Sequence, residues 1–177
     1  MHQKIVITGG PSTGKTTVIN ELVKREFICI PEISRQVTLK AREEGTEWLF
    51  LKDPLLFSKL LLEGREKQYL ETKNISKGFI FFDRGIPDVH AYMNYLGVDY
   101  PDIYVNKSKQ YIYDKILLMP PWEEIYTSDE GRYENFEQSL AIYNHLKNAY
   151  LELDYEITEI PFGTIDLRVD FILNTIK

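Results

Sequence analysis

The chain has 177 residues, of which 44% are hydrophobic and 27% charged, an ordinary globular composition. A chain of this length is typical of one domain and buries roughly 70% of its unfolded surface. The net charge of −6 at pH 7 gives no general attraction to nucleic acid or to an anionic membrane, so we expect neither as a partner. No apolar run approaches the roughly 20 residues that span a bilayer.

The N-terminus and the single cysteine bear on where the protein works. Lys4 and Thr8 bracket an apolar stretch of only three residues, which is too short for a signal peptide. Cys29 lies in the apolar run FICI, so no disulfide can form within the chain. We therefore expect a cytoplasmic protein in which Cys29 is a buried structural thiol.

The first half of the chain alternates short apolar runs with amphipathic segments. β-Branched residues bounded by glycine and proline predict strands, and apolar residues at helical spacing predict helices. Asp53-Pro54 predicts a helix start, with proline at the first helical position. The expected elements are strand 4–8, a helix from 15, strand 27–31, helix 33–44 and helix 54–74.

The second half repeats this alternation. A Tyr- and Pro-containing connection is expected after Gly97, and the charged, aromatic segment 122–133 predicts a loop or a short helix because it has no periodicity. The other expected elements are strand 78–85, helix 86–96, strand 111–118, helix 134–153, strand 155–160 and a final helix from 164.

Five short apolar strands alternating with helices predict a parallel sheet covered on both faces. With right-handed crossovers this is a three-layer α/β/α sandwich. No internal repeat, low-complexity segment or linker divides the sequence, so we expect a single domain over residues 1–177. Ligands should bind beyond the carboxyl ends of the strands.

The stretch GGPSTGKTT follows the first strand and fits G-x-x-x-x-G-K-[ST]. Its glycines leave backbone N–H groups free to wrap phosphate oxygens, Lys15 would reach the β- and γ-phosphates, and the Thr16 hydroxyl would bind Mg²⁺. The alternative, a glycine-rich turn, is disfavoured because the motif follows a strand and opens a helix. The expected nucleotide contacts are Gly9, Gly10, Pro11, Ser12, Thr13, Gly14, Lys15, Thr16 and Thr17.

Charge follows the third strand, in FFDRGIPD. Asp83 at the carboxyl edge suits a ligand of Mg²⁺ or its water, or a base facing the phosphates. Arg84 could hold an oxyanion with its planar fork. The alternative is an Asp-Arg turn that caps the next helix. Asp88 is a candidate for either a substrate contact or a helix-surface position.

A second carboxylate follows the second strand, in IPEISRQV. At that strand end Glu32 could take a proton from an attacking hydroxyl. Arg35 lies three residues later and could orient Glu32 or hold the acceptor. The alternative for Glu32 is a carboxylate favoured by the dipole at a helix N-terminus.

The segment 122–135 is a candidate lid. Arg132 lies there in a polar stretch before a helix and could close over the triphosphate and stabilise charge during transfer. Trp122 could pack under that lid or against the substrate. The alternative is a solvated loop with a buried tryptophan.

The remaining histidines and tyrosines carry less information. His2, His90 and His145 are scattered without ligand spacing, so we assign no metal site to them. Four tyrosines are expected to pack the substrate side of the domain, and stacking on a base is the less favoured function of any one of them: Tyr92, Tyr95, Tyr100 and Tyr104.

Together these motifs resemble the AAA-type ATPase/kinase family of P-loop proteins, which is grouped with the ribosylnicotinamide kinase domains of bacterial NAD metabolism. The resemblance runs in order through GGPSTGKTT, PEISRQV, FFDRGIPD, LLMPPWEEIYTSDEGR and IPFGTIDLRVDFIL, from about residue 3 to 175. The phosphate loop is shared by very many families, whereas DRGIPD and PPWEEIY are far more specific.

The resemblance implies a P-loop kinase fold with strand order 2-3-1-4-5 and a small lid. By similarity to deoxynucleoside kinases, Glu32 would be the base and Arg84 would lie near the transferred phosphate. Arg132 matches a lid arginine. The loop from Pro161 to Gly163 occupies the place where related kinases hold adenine.

The sequence departs from these groups in two respects. Ribosylnicotinamide kinases do not carry the full DRGIPD string, so their substrate is not inherited. The additional helical domain and sensor arginines of ring-forming ATPases are missing, which disfavours a motor.

Two functions of different class follow. The first is a small-molecule kinase that uses ATP and Mg²⁺ to phosphorylate a nucleoside-like or other small hydroxyl acceptor. The second is a nucleotide-dependent regulatory or binding module that needs no acceptor. A relic loop on a structural protein is disfavoured because Lys15 and Thr16 are both intact. We expect a monomer or homodimer.

Overall fold

A computed structural model describes residues 2–76, 78–125 and 135–176. Strands and helices alternate through most of the chain. The strands are β1 His2–Gly9, β2 Ile28–Ile30, β3 Gly78–Asp83, β4 Lys115–Met119 and β5 Ile157–Glu159. The helices are α1 Lys15–Lys24, α2 Ser34–Glu43, α3 Leu49–Lys52, α4 Pro54–Glu71, α5 Pro87–Leu96, α6 Ile103–Gln110, α7 Phe136–Leu151 and α8 Ile165–Thr175.

The five strands form one parallel sheet in the order β2-β3-β1-β4-β5. β1 lies at the centre, where Ile7 is in register with Asp83 of β3 and with Leu117 of β4. All carboxyl ends of a parallel sheet point the same way, so the phosphate loop after β1 lies beside the charged end of β3. The predicted α/β sandwich and its strand order are confirmed.

The two faces of the sheet are covered by different helices because neighbouring side chains on a strand point to opposite sides. Ile5 and Ile7 are fully buried in a core that also contains side chains of α1 and α8, such as Leu22 and Ile172. Val6 packs on the opposite face in a cluster with Tyr150 of α7. These alternating contacts fix which side of the sheet each helix covers.

The structure differs from the sequence expectations mainly after Gly97. The predicted connection contains α6, and the strand expected at 111–118 is shorter, β4 covering Lys115–Met119. Tyr111 caps α6 and its ring packs into the adjoining core, which explains why an aromatic run that looks like a strand is not one. The lid segment lies largely outside the described residues, which include only its ends, 122–125 and 135.

Two further observations concern the thiol and the membrane. Cys29 is half-buried beside the α1/α8 core, and burial raises the pKa of its thiol to about 11, as befits a structural cysteine. Among the described residues, no helix is both long enough and apolar enough to cross a bilayer.

Candidate functional site

The phosphate loop joins β1 to α1, and hydrogen bonds to its carbonyl oxygens hold it in place. Thr13 Oγ1 donates to Gly10 O at 3.1 Å, Ser139 Oγ of α7 donates to Pro11 O at 2.9 Å, and Arg168 Nη1 of α8 donates to Thr13 O at 2.9 Å. In a trans peptide the N–H points away from the C=O. These hydrogen bonds fix the direction of the carbonyl oxygens. The N–H groups that follow them therefore point to the opposite side of the loop, as an anion site requires.

Two glycines of the motif lie where a side chain would not fit. Gly14 has a φ of 78°, and a Cβ there would lie 2.7 Å from Arg168 Nη1. A Cβ on Gly9 would lie 2.7 Å from the carbonyl oxygen of Met119 on β4. Gly9 thus allows β1 to pack closely against β4, and its assignment as a nucleotide contact stays a prediction.

Lys15 begins α1 and reaches across to β3. Its Nζ forms an ion pair with Asp83, and both side chains are about nine-tenths buried. Burial and the nearby charge of Arg84 lower the pKa of Lys15, and the Asp83 carboxylate opposes that shift. The ammonium is therefore held at the carboxyl edge of the sheet by a single carboxylate, which a phosphate oxygen could replace or share.

Glu32 lies just after β2, and its carboxylate is fixed from two sides. The backbone N–H of Ser34 donates to it at 2.8 Å, and the Ser34 hydroxyl also donates to it. Arg65 Nη2 of α4 lies 3.5 Å from Glu32 Oε1. Burial raises the pKa of Glu32, but Arg65, Arg84 and Ser34 outweigh it, so the net pKa is lowered and the group is an anion at neutral pH.

Arg84 occupies the turn between β3 and α5. Its φ of 77° is unusual for a residue with a side chain, and its N–H donates to Ile7 O of β1 at 3.1 Å. The guanidinium lies 5.3 Å from the centre of the Tyr92 ring, and Nη1 is 3.6 Å from Asp88 Oδ1. Nη1 is buried without a hydrogen-bond partner, so it retains a donor that an anionic oxygen could satisfy.

Asp88 is not at the surface and does not contact the cavity. It is fully buried, and its carboxylate accepts from the Thr8 hydroxyl, from Gly85 N at 2.9 Å and from Tyr150 OH at 2.5 Å. A carboxylate has about four lone-pair sites; three of these face internal donors and Arg84 Nη1 lies 3.6 Å from Oδ1, so all of its neighbours are internal. The expected substrate contact is therefore corrected to a buried group that holds the β3–α5 turn.

A cavity of about 920 Å³ brings most of the predicted residues together. Its lining runs continuously from the phosphate loop to the ends of β2 and β3. The lining residues that matter for the site are Gly10, Pro11, Ser12, Thr13, Gly14, Lys15, Thr16, Thr17, Glu32, Arg35, Asp83, Arg84, Trp122, Gly163 and Arg168. Gly9, Pro161 and Asp88 are outside this lining, and Arg132 lies outside the described residues.

Two buried arginines beside the site were not predicted from the sequence. Arg65 lies on α4 in step with the buried Ser58, Leu61 and Leu62, and its Nη1 donates to Gly85 O at 2.8 Å. Arg168 lies on the buried face of α8 beside the phosphate loop. The available signal in both helices was a charge at a position where the apolar pattern demands a buried residue.

The predicted tyrosines do not line the cavity. Tyr104 is buried beside α4 and α5 with Tyr100 packed nearby, and Tyr92 and Tyr95 pack against the core beneath α7. Only Tyr92 among them touches a site residue, through its ring contact with Arg84.

The residues present fit a nucleoside triphosphate with Mg²⁺. Two arginines of the lining carry three buried nitrogens that have no hydrogen-bond partner within the described part of the chain: Arg84 Nη1, Arg168 Nε and Arg168 Nη2. Thr16 is exposed at the start of α1, where the first N–H groups of a helix lack intrahelical partners. Its hydroxyl and the Asp83 carboxylate are the oxygen ligands available for Mg²⁺.

The family of the chain follows from a match to a family model. Residues 4–168 match the model described as AAA domain. The chain belongs to this family. The match includes the phosphate loop, Glu32, Asp83-Arg84 and the first turn of α8. No curated protein sequence matches the chain.

Solved structures of P-loop kinases share the fold. A deoxyadenosine kinase from M. mycoides, with products dCMP and a flexible dCDP bound, has a TM-score of 0.72 at 16% identity, covering 98% of each chain. A thymidylate kinase from Candida albicans has a TM-score of 0.67 at 17% identity, covering 99% of this chain and 91% of that one. NadR in complex with NR has a TM-score of 0.73 at 15% identity, and the match spans 99% of this chain but only 50% of NadR.

The corrected role of Asp88 predicts a stability effect in the absence of any ligand. Asp88→Asn replaces one acceptor oxygen by an NH₂ group that faces buried donors. We expect the free energy of unfolding, measured by urea titration, to fall by roughly 3 kcal/mol. Asp99→Asn, at an exposed position, is the control and should unfold like the wild type. Wild-type stability in Asp88→Asn would restore the substrate-contact assignment.

Proposed function

We propose that this protein transfers the terminal phosphate of ATP to a hydroxyl group of a small, nucleoside-like acceptor. The observation that carries the proposal is the single cavity. Its lining includes the phosphate loop with Lys15 and also Glu32, Arg35 and Arg84, which follow the strands β2 and β3. A protein that only binds or hydrolyses a nucleotide needs the first set and has no use for a second cluster of charged groups facing it.

The donor half of the cavity binds the triphosphate. The loop N–H groups and Lys15 would hold the phosphates, and the wall at Gly163 would face the base. Mg²⁺, held by Thr16 and Asp83, would neutralise charge on the phosphate oxygens. Lys15 would exchange its contact with Asp83 for the β- and γ-phosphates, which frees the Asp83 carboxylate.

The acceptor half supplies a base and cations. Glu32 is an anion at neutral pH and lies at the carboxyl edge of the sheet, so it can take the proton of the attacking hydroxyl. The unpaired Arg84 Nη1 would bind the phosphoryl oxygens as charge spreads over them. Arg35 is exposed at the rim and would hold the rest of the acceptor.

Glu32 is favoured over Asp83 as the base by their partners. Asp83 contacts Lys15 in the free protein and is the carboxylate assigned to Mg²⁺ once the triphosphate binds. Glu32 is held by Ser34 and Arg65, and neither of these belongs to the phosphate loop. Its orientation is thus set before a substrate arrives, as general-base catalysis requires.

The names of the similar structures support a nucleoside-like acceptor. Two of them are a deoxyadenosine kinase and a thymidylate kinase, and a third, NadR, is seen in complex with NR. A cavity of about 920 Å³ accommodates a nucleotide together with a second molecule of similar size. The lid arginine Arg132, the cytoplasmic location, the lack of a nucleic-acid or membrane partner and the monomeric or dimeric state stay predictions.

The role of Lys15 is tested by nucleotide-dependent stabilisation. ATP with Mg²⁺ at about 100 times its dissociation constant should stabilise the wild type by about 2.7 kcal/mol. Lys15→Ala should lose nearly all of the rise in melting temperature because the phosphates lose their main cation. Lys24→Ala, exposed on the same helix, should keep it. An equal rise in Lys15→Ala would remove the phosphate-loop assignment.

The role of Glu32 is tested by ADP release with a panel of nucleosides that includes nicotinamide riboside. An active acceptor should raise the wild-type rate, and Glu32→Gln should lower that stimulated rate by roughly 10²- to 10⁴-fold because the general base is lost. ATP affinity should stay the same. Glu43→Gln, at an exposed position of α2, is the control.

The same assay separates the kinase from a regulatory module. Glu32→Gln leaves Arg65 without its carboxylate and should be less stable, so rates are measured well below its melting temperature. If no nucleoside stimulates ADP release and Glu32→Gln releases ADP as fast as the wild type, the kinase proposal is wrong and slow hydrolysis by a regulatory module remains.

A further inference from the structure

Arg168 carries more hydrogen-bonding capacity than its known contact uses. It is 3% exposed, and its Nη1 donates to Thr13 O of the phosphate loop. Its Nε and Nη2 are buried and have no partner among residues 2–76, 78–125 and 135–176. A buried guanidinium normally has every donor satisfied, so these free donors indicate a ligand that completes the set.

The charge of Arg168 also lacks an internal counterion. Within the described part of the chain, no carboxylate lies within ion-pair distance of it, unlike Arg65, which has Glu32. Burial lowers the pKa of Arg168, the expected result for a cation that is desolvated and not compensated. Burying an unpaired charge is costly, so an anion is the expected partner.

The guanidinium is held in a fixed orientation. The Trp122 ring lies 5.6 Å from the guanidinium carbon, and Trp122 is itself stacked on Phe162 at 5.2 Å with an interplanar angle of 29°. One nitrogen is tied to the phosphate loop and the ring covers a face, so an edge with Nε and Nη2 remains. Two parallel donors on one edge match the oxygens of a phosphate.

The position of Arg168 along the cavity decides which phosphate it meets. Glu32 and Arg84 follow β2 and β3, which lie on one side of β1 in the sheet. Arg168 lies on α8, which follows β5 on the other side of β1, and it contacts the phosphate loop at Thr13 and beside Gly14. A triphosphate with its terminal phosphate toward the acceptor places its α-phosphate at this end.

We propose that Arg168 binds the α-phosphate of the nucleotide through Nε and Nη2 while its Nη1 holds the phosphate loop. The orientation of the triphosphate rests on the proposed function. The donors belong to α8 rather than to the lid or the loop motif, so the α-phosphate contact is made by the body of the domain.

The test compares nucleotide affinities by titration calorimetry with Mg²⁺ and no acceptor, so it does not depend on phosphoryl transfer. The ligands are ATP, ADP and tripolyphosphate, and the variants are Arg168→Gln and Arg168→Lys. Arg168→Gln should weaken all three ligands by the same factor, about 10- to 100-fold, as expected for a charge-assisted contact. Arg168→Lys should recover only part of that loss, because it keeps the charge but not the two parallel donors.

Arg25→Gln is the matched control. Arg25 also links α1 to α8, through Asp166 and Asp170, but it lies outside the cavity. The Arg25→Gln variant should bind ATP, ADP and tripolyphosphate with the same affinities as the wild type.

Three outcomes would overturn the assignment of the α-phosphate contact. A loss for ATP and ADP but not for tripolyphosphate would make Arg168 a contact of the base. A larger loss of affinity for ATP than for ADP would make Arg168 a contact of the γ-phosphate. Equal losses in Arg168→Gln and Arg168→Lys would show that only the shape of the phosphate loop was disturbed.

Discussion

The carboxylate of Asp88, fully buried at the carboxyl edge of the sheet, ties together the parts of the chain that form the site. It accepts hydrogen bonds from Thr8 at the end of β1, from Gly85 in the turn after β3 and from Tyr150 of α7. Three donors in one buried network fix the turn and thereby hold Arg84 in its left-handed conformation. The position of Arg84 thus depends on a residue that is fully buried and outside the cavity lining.

The charges around this network are distributed unequally. Lys15 has Asp83, Arg65 has Glu32 and Arg84 has Asp88 as ion-pair partners, but Arg168 has none, and both Arg84 and Arg168 retain buried donors without a hydrogen bond in the described residues. The cavity is thus locally cationic in a chain with a net charge of −6. Phosphate groups supply the missing anions, so the same imbalance that costs stability in the free protein favours binding of a triphosphate. A site built this way is preorganised around the charge that it will bind.

The sequence predicted the residues of the phosphate loop and the strand ends better than the buried residues that hold them in place. GGPSTGKTT specifies a loop and its first helical turn locally, and strands that end in Glu32 and Asp83-Arg84 meet at one edge once the sheet is parallel. The supports Arg65 and Arg168 come from helices far along the chain, and only packing shows that they reach the loop and the β3–α5 turn. Asp88 was ambiguous because helix periodicity cannot tell a buried carboxylate from a surface one. The strand after α6 was predicted too long because aromatic residues suit both strands and cores.

The central claim, that donor and acceptor meet in one cavity, is tested most directly by following the terminal phosphate itself. ATP labelled at the γ-phosphorus is supplied with the nucleoside panel, and the label is partitioned between phosphorylated acceptor and inorganic phosphate by chromatography. If donor and acceptor meet in one cavity, an active acceptor takes up one label for each ADP formed and little inorganic phosphate appears. Label found only in inorganic phosphate, whichever nucleoside is present, would contradict it.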